Sequence, residues 1–567
     1  MIDIQTVIDK SNEMSPLWTR MDMDKRLYYL DKYVMKDTKG AVVSDIINVT
    51  LNLPATFAAH VQSSLMGAEE QVKVMGETLA EDEPLEIERL VRAMLDAANA
   101  LLLARGEPAL GPFITEQLDI RGRAAARLTF RKNGSALVPE MGLIDTRHFV
   151  FEPDRNGGMA WGASTTWRSP STVNREYPDA KASGTQLVAI TDVWDAVSNE
   201  VYMGGMPGTG TSIKPAQIGG VGPHTYGETP IVFREVPMGS MLKDADALAH
   251  RGESIFFLIR DLIPELNRLA SILQTLNLES VHGPMEYTSE EGPQAVPLEY
   301  ADASGIGRIT SVGKGGIRRI DTGDIKAAGR LMQTILSRMI QTGSLSLTDF
   351  GSLSFPLSAV ALVQLGEASG QVFLPRLGAK GLLMQGIAEM AVRQMTQLGG
   401  SLEIGTVGHR QTFNTSVLKG KYDTTFVYTV KAPETDAALI SIADAMRLFI
   451  DDDTIAEKIL KLPNPKEVRA KRRIDEAERI SPGIKQYRTA QALLDEGREV
   501  EAEIMAAELG ITIEQLEAGE VVPPKAAEEP RPNVGNDLAL FPGTREFSNT
   551  RATQLAGEPR EEVGEAT

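Results

Sequence analysis

The apolar residues of this chain change their spacing partway along it, and that change limits the fold more than any other feature. Between about residues 120 and 240 the short runs Arg127–Phe130, Phe149–Phe151, Leu187–Ile190, Val201–Met203 and Ile231–Phe233 carry strand-type patterns. Gly, Pro, Asn and Asp clusters separate them. After Pro237 the spacing becomes three or four. In ESIFFLIRDLIPELNRLASILQTLNLES the apolar positions are Ile255, Leu258, Leu262, Leu266, Leu269, Leu273 and Leu276, one stripe of a helix. A strand block set between helical segments predicts an α+β fold.

One stretch tempts a different conclusion. GMPGTGTS at 205–212 falls one residue short of a phosphate-binding loop, with Thr211 where lysine would stand. Such a loop joins a strand to a helix whose N-terminus faces the phosphates. Here Pro215, Gly219, Gly220, Gly222 and Pro223 follow, and no helix of useful length starts among them. The expectation is an exposed loop between two strands, with no nucleotide and no other cofactor.

Composition removes further classes. There is no cysteine, so disulfides, zinc-thiolate sites and thiol nucleophiles are excluded. The six histidines, His60, His148, His224, His250, His282 and His409, lie too far apart for a local metal pair, and no metal is expected. The N-terminus has no apolar signal core, and no run approaches a membrane span. Net charge is −19. A protein that grips nucleic acid freely usually carries a basic surplus, whereas one that must let DNA slide can be acidic.

Residues 1–40 read as helices. Pro54 suits a first helical turn, with Phe57, Val61 and Leu65 on one face. Gln71–Met75 alternates as a strand, and 84–106 is an amphipathic helix closed by Gly106. The stripe at 253–280 predicts a rod of roughly 40 Å, bent at Pro264 unless its first turn starts later. A Gly/Pro-rich β-excursion at 283–322 and a second helix follow, with Thr322 or Asp324 as cap. Together they predict an αα-hairpin with an insert at its tip. A Gly/Ser loop then carries Leu345, Leu347, Phe350, Leu353 and Phe355. A helical stretch of about 40 residues (358–398) is expected to kink at Gly366, Gly370, Pro375, Gly378 and Gly381. Tyr422–Val430 reads as a strand and KAPETDAALISIADAMRLF as a helix. Asp451–Asp453 fit a helix start better than a metal site. Lys471–Glu478 reads as a self-paired helical face, and two helices lie between 484 and 518. The last 49 residues hold six prolines and are expected to be disordered.

The order of these segments resembles the portal proteins, the head-to-tail connectors of tailed bacteriophages, over about residues 40–510. VTLNLP at 49–54 is similar to the start of the portal wing, and the block ending in GETPIVFREVP resembles the wing sheets. The segment KAPETDAALISIADAMRLFIDDDTIAEKILKLPNPKEVRAKRRIDEAERI resembles the closing pattern of that family. It has Asp451 where serine is common. The resemblance implies a wing at 1–252, a first stem helix at 253–282, a clip at 283–322 and a second stem helix at 323–342. A tunnel loop at 343–357, a long kinked helix and return to the wing at 358–480, crown helices at 481–518 and a disordered tail at 519–567 complete it. It implies a mostly helical stem and crown with a β-rich wing, assembled as a ring of twelve subunits at one capsid vertex of the virion, and no enzyme. The implied partners are double-stranded DNA in the channel, the terminase motor, the major capsid protein and head-tail adaptor or tail proteins, with no membrane. Twelve acidic chains would repel phosphate over about 8–10 Å, as a conduit should.

Three groups of residues are the candidates for this work. Lys314, Arg318 and Arg319 in the excursion are expected to dock a partner. Leu345, Leu347, Phe350, Leu353 and Phe355 are expected to slide over DNA. Lys326, Arg330 and Arg338 share one helical face, turned either to the tunnel or to a neighbouring subunit's acids, such as Glu253, Asp261 or Glu265. Leu331, Ile335 and Met339 form the adjacent apolar face, expected to pack on the first stem helix.

Overall fold

The computed structural model describes residues 2–44, 46–76, 83–134, 136–155, 157–204, 215–239, 246–281, 285–289, 315–319, 325–343, 373–406, 408–429, 465–495 and 498–517, with a few single positions between them. The fold is mixed helix and sheet, and residues 1–470 and 471–567 form two compact units.

In the first unit, helices α1 (Ile4–Glu13) and α2 (Ser15–Tyr28) pack Val7, Leu17, Trp18 and Met21 against Val150, Trp161 and Val193. Helix formation stops at Tyr28, short of the expected residue 40. Leu30 adopts a positive φ of 53°, and the following backbone bonds to side chains: Tyr33 N–H to Thr50 Oγ1 and Met35 N–H to Asn48 Oδ1, both 2.8 Å. Helix α3 (Leu53–Met66) begins with Pro54 in its first turn and buries Val61 and Leu65. Strand β1 (Glu69–Met75) leads to α4 (Glu83–Ala104), which buries Ile87, Leu90, Val91, Met94 and Leu102. That spacing is the apolar face read from the sequence.

Helix α5 (Leu110–Glu116) runs into a π-helical turn, Gln117–Arg121. Gly122 ends it at φ 71°, and a Cβ there would stand 1.7 Å from the Gly252 carbonyl oxygen. Only glycine lets these two backbones meet.

Strands β2 (Arg123–Asn133) and β3 (Ala136–Ile144) form an antiparallel hairpin. They sit in a five-stranded sheet of order β13-β12-β3-β2-β9, with β9 (Ile231–Glu235), β12 (Ser401–Ile404) and β13 (Gln411–Asn414). Strands β4 (Phe149–Pro153), β5 (Met159–Arg168), β6 (Val188–Asp195), β7 (Ser198–Met203) and β8 (Ala216–Pro223) make a second sheet, an antiparallel meander. Helix α6 (Pro170–Glu176) covers part of it through Val173. Ala125, Ile144 and Ile231 of the first sheet meet Phe149 and Trp194 of the second.

The first long hairpin helix, α7 (Leu262–Val281), begins nine residues later than the sequence pattern suggested. Residues before it are drawn into the core instead. Ile255 N–H bonds the Asp119 carbonyl at 2.9 Å, and Phe256 and Ile259 are buried. Pro264 therefore falls in the first turn, where it lacks no needed donor. Twenty residues give about 30 Å rather than 40 Å. Strands β10 (Met285–Ser289) and β11 (Gly315–Arg319) pair antiparallel, and α8 (Ile325–Gly343) returns against α7.

Helix α9 (Leu374–Leu398) is continuous. Pro375 lies at its start, Gly378 faces open space, and Gly381 and Gly386 serve close packing rather than kinks. A Cβ on Gly381 would stand 2.5 Å from the Phe426 carbonyl oxygen, and one on Gly386 2.7 Å from Val232 Cγ1. Gly366 and Gly370 lie outside the described residues. Strand β14 (Asp423–Thr429) pairs with β1. Helix α10 (Pro465–Ile480) runs through the boundary between the units.

The second unit contains α11 (Pro482–Asp495), α12 (Glu499–Glu508) and α13 (Ile513–Glu517), three helices where two were expected. Ala490, Ala506, Ile511 and Leu516 form their core. Residues 430–442 and 451–454 and the segment from 518 onward, including the expected tail, are outside the described residues.

Candidate functional site

The described residues among those singled out from the sequence lie on the α7–α8 hairpin. Arg330 and Arg338 are exposed on α8, one face with Thr334, whose hydroxyl donates to the Arg330 carbonyl at 2.9 Å. Lys326 lies in the first turn of the same helix. Arg318 and Arg319 fall on β11, opposite Glu286 and Met285 of β10. Lys314 lies outside the described residues, as do Leu345, Leu347, Phe350, Leu353 and Phe355.

The apolar face of α8 does not pack as expected. Leu331 is 64% exposed, Met332 48%, Met339 47% and Ile335 44%. The buried positions are Leu336 and Ile340, at 6% and 4%. Gly329 lies on that side too, where a Cβ would stand 2.9 Å from Leu273 Cδ2 of α7. Glycine at this crossing lets the helices approach, which rotates Leu336 and Ile340 inward and leaves the larger apolar stripe outside. Helix α8 thus has three faces: one on α7, one basic and one apolar and uncovered.

The hairpin is rooted in a set of charges that the sequence reading missed. Arg20, Asp24, Glu253 and Arg260 are all buried. Arg260 grips Asp24 with two bonds, 2.6 and 3.0 Å, and reaches Glu253 Oε2 at 2.6 Å. Arg20 donates to the same Glu253 oxygen at 3.0 Å, to the Gly252 carbonyl at 2.9 Å and to the Arg121 carbonyl at 3.1 Å. Burial pushes the Glu253 carboxyl up, but the Arg260 bond and the Arg20 charge outweigh it and hold it below the usual range. The set ties α2, the π turn and the segment before α7 into one joint. In sequence these four residues look like ordinary helix-surface charges, because their partners come from two distant segments.

Beside this joint, Asp119 is fully buried on the π turn, 3.7 Å from Arg376 Nε of α9. Burial drives its pKa up to about 7 against the pull of Arg376 and Lys380. Glu253 is used inside the chain, which removes it as a partner for a neighbour's arginine. Asp261 and Glu265 are exposed.

The phosphate-loop-like stretch 205–214 is outside the described residues, but its flanks are the antiparallel strands β7 and β8. A strand stands where a phosphate loop needs a helix. Among the described residues no three His, Asp or Glu side chains converge as a metal site, and no helix is long and apolar enough to cross a membrane.

Neither a comparison with protein-family profiles nor one with curated proteins finds a match to this chain.

Proposed function

We propose that this chain is a portal-type connector subunit: a structural protein, not an enzyme, that assembles as a ring of twelve around a DNA channel at one vertex of a viral capsid. The observation that carries the proposal is the hairpin. A helix, a strand ribbon and a second helix leave a mixed α/β body in that order, and α8 carries an uncovered apolar stripe beside a basic one. A stripe of four large apolar residues on a thin helical hairpin needs a partner surface. Side-by-side copies supply it, since a head-to-tail contact that closes on itself makes a ring. Closure also turns one arginine per chain into a belt.

In this reading the belt of Arg330 and Arg338 centres DNA by weak, salt-screened phosphate contacts, while the overall negative charge keeps DNA from sticking. The ribbon, with Lys314, Arg318 and Arg319, docks the terminase motor and later the adaptor or tail proteins. The body contacts the major capsid protein. The loop with Leu345, Leu347, Phe350, Leu353 and Phe355 touches the moving duplex.

Electron microscopy of the purified protein tests the proposal. Rings with a central hole are expected, and Leu331→Glu with Ile335→Glu should yield folded single chains instead. Wild-type protein that stays monomeric at micromolar concentration, or forms closed particles without a hole, would refute it.

A further inference from the structure

The segment between α2 and α3 lies along α7 in an unusual register. Ile47, Val49 and Leu51 donate their backbone N–H groups to Thr275 Oγ1, Ser271 Oγ and Asn267 Oδ1, at 3.0, 2.9 and 3.0 Å. Every second residue of this segment thus meets every fourth residue of a helix. The two repeats nearly match, at about 6.6 Å for two extended residues and about 6.0 Å for four helical ones. The mismatch grows with each step, so three rungs fit without strain and long ladders do not.

The side chains on the helix are chosen for this task. Ser271 donates its hydroxyl to the Asn267 carbonyl at 2.7 Å, and Thr275 donates to the Ser271 carbonyl at 2.9 Å. Their oxygen lone pairs are left to accept from the strap. No backbone bond of α7 is spent, so the strap can leave without unwinding the helix. The row ends at the buried Ile263 on its N-terminal side. A second arm, Tyr33 and Met35, bonds the opposite edge of the strap through Thr50 and Asn48, and the two arms close near the Lys36–Val42 bridge.

Position explains the purpose. Leu266 is the last residue of α7 buried in the main core, with Leu269 packed partly against it. From Asn267 outward the helix leaves the body, and the strap lies along its first two turns. Asn267 and Ser271 are buried beneath the strap, yet they are polar and lose little when water replaces it.

We infer that residues 47–51 are a detachable brace that fixes the angle of the α7–α8 hairpin against the body. Release of the brace frees the hairpin to pivot near Leu266 while the core stays folded. This holds whether or not the chain forms rings.

Amide hydrogen exchange tests the ladder. The amides of Ile47, Val49 and Leu51 should be protected and those of Asn48 and Thr50 fast. All three should exchange well before the core amides of α4. Ser271→Ala should speed Val49 exchange about tenfold, the loss of one bond of typical strength, with α7 itself unchanged. Thr275→Ala, at a less buried rung, should do the same for Ile47. Equal rates along 47–51, no response to either substitution, or exchange only together with α4 would overturn the inference. Distance measurement tests the brace. The chain has no cysteine, so spin labels at Leu103→Cys on α4 and Leu278→Cys on α7, diluted into unlabelled chains, report the hairpin angle. The distribution should be narrow and should broaden when Asn267, Ser271 and Thr275 are all replaced by alanine. An unchanged width would mean that the ladder holds the strap and not the hairpin.

Discussion

Replacing Asp24 by asparagine should be among the most damaging single changes in the chain, although it removes one charge and almost no volume. Asp24 is fully buried and takes both bonds of the Arg260 fork. In the intact joint two guanidinium groups face two carboxylates, Asp24 and Glu253. Asp24→Asn leaves Arg20 and Arg260 sharing Glu253 alone, with one uncompensated buried charge. Breaking a buried pair in this way costs about 3–5 kcal/mol. Arg260→Met leaves Asp24 with Arg20, at 3.9 Å, as its cation and Ser254 as a hydrogen-bond partner, and should cost a similar amount. The double variant Asp24→Leu with Arg260→Met behaves differently. It keeps the Arg20–Glu253 bond, removes both other charges and should cost under about 2 kcal/mol, because a buried ion pair and a packed apolar pair are often nearly equivalent. Asp24→Leu alone breaks the same pair, so in the cycle of Asp24→Leu, Arg260→Met and their double variant the coupling should be at least about 4 kcal/mol. Denaturant unfolding followed by tryptophan fluorescence measures it, since Trp18, Trp161, Trp167 and Trp194 all belong to the first unit. A double variant that costs the sum of the two singles, or an Asp24→Asn protein within about 1 kcal/mol of wild type, would refute this account of the joint.

Three further outcomes follow from the geometry. Asp119 binds its proton more tightly folded than unfolded, so its contribution to stability is complete below about pH 4 and is lost as pH rises through about 7. Asp119→Asn should remove that decline, and unfolding free energies at pH 5 and pH 8 for both proteins decide it. Gly381→Ala places a methyl group against the Phe426 carbonyl and should destabilise the β1–β14 pair by about 1–3 kcal/mol, read from the denaturation midpoint; an unchanged midpoint would mean α9 can shift away. Under the proposed portal function, Arg330→Glu with Arg338→Glu should leave rings intact while packaged DNA length or retention falls. Rings that dissociate would instead assign these residues to a bond between subunits, with Asp261 or Glu265 as the remaining acidic candidates.

Much of the fold was legible because its signals are local. Helix α4 announces itself by Ile87, Leu90, Val91 and Met94 and stops at Gly106, whose φ is +76°. The five strands read between residues 120 and 240 are present, and so are those read at Gln71–Met75 and Tyr422–Val430, as β1 and β14. Several strands were missed for local reasons. In β3, Pro139 and Gly142 read as breakers, yet Pro139 pairs with Phe130 and Gly142 makes room for the Arg127 side chain. Strand β8 is glycine-rich, and β12 and β13 have four residues each, too few to show a period. The start of α7 was misplaced because Ile255 and Leu258 continue a helical spacing. Their segment is held by the Asp119 carbonyl and the charged joint, contacts made to residues more than a hundred positions earlier. The faces of α8 failed for a related reason. Spacing identifies which residues share a face, and only the partner helix decides which face is covered. Gly329 was the available clue.

The pairing of β1 with β14 has a consequence for how the molecule is made. Tyr428 bonds Glu70 across 358 residues of chain, and β12 joins β3 by a parallel contact from beyond the hairpin. The α7–α8 excursion is therefore synthesised while both sheet partners of the body are still missing. Its own helices touch each other through nearby residues and can form early, whereas closure of the body waits for distant strands and their loop entropy. On the ribosome, the uncovered stripe of α8 emerges before the body that must carry it is complete. Last-synthesised strands thus act as the clasp of the whole unit, and a chain cut short before residue 423 leaves β1 with an open edge, a surface prone to pairing with the wrong neighbour.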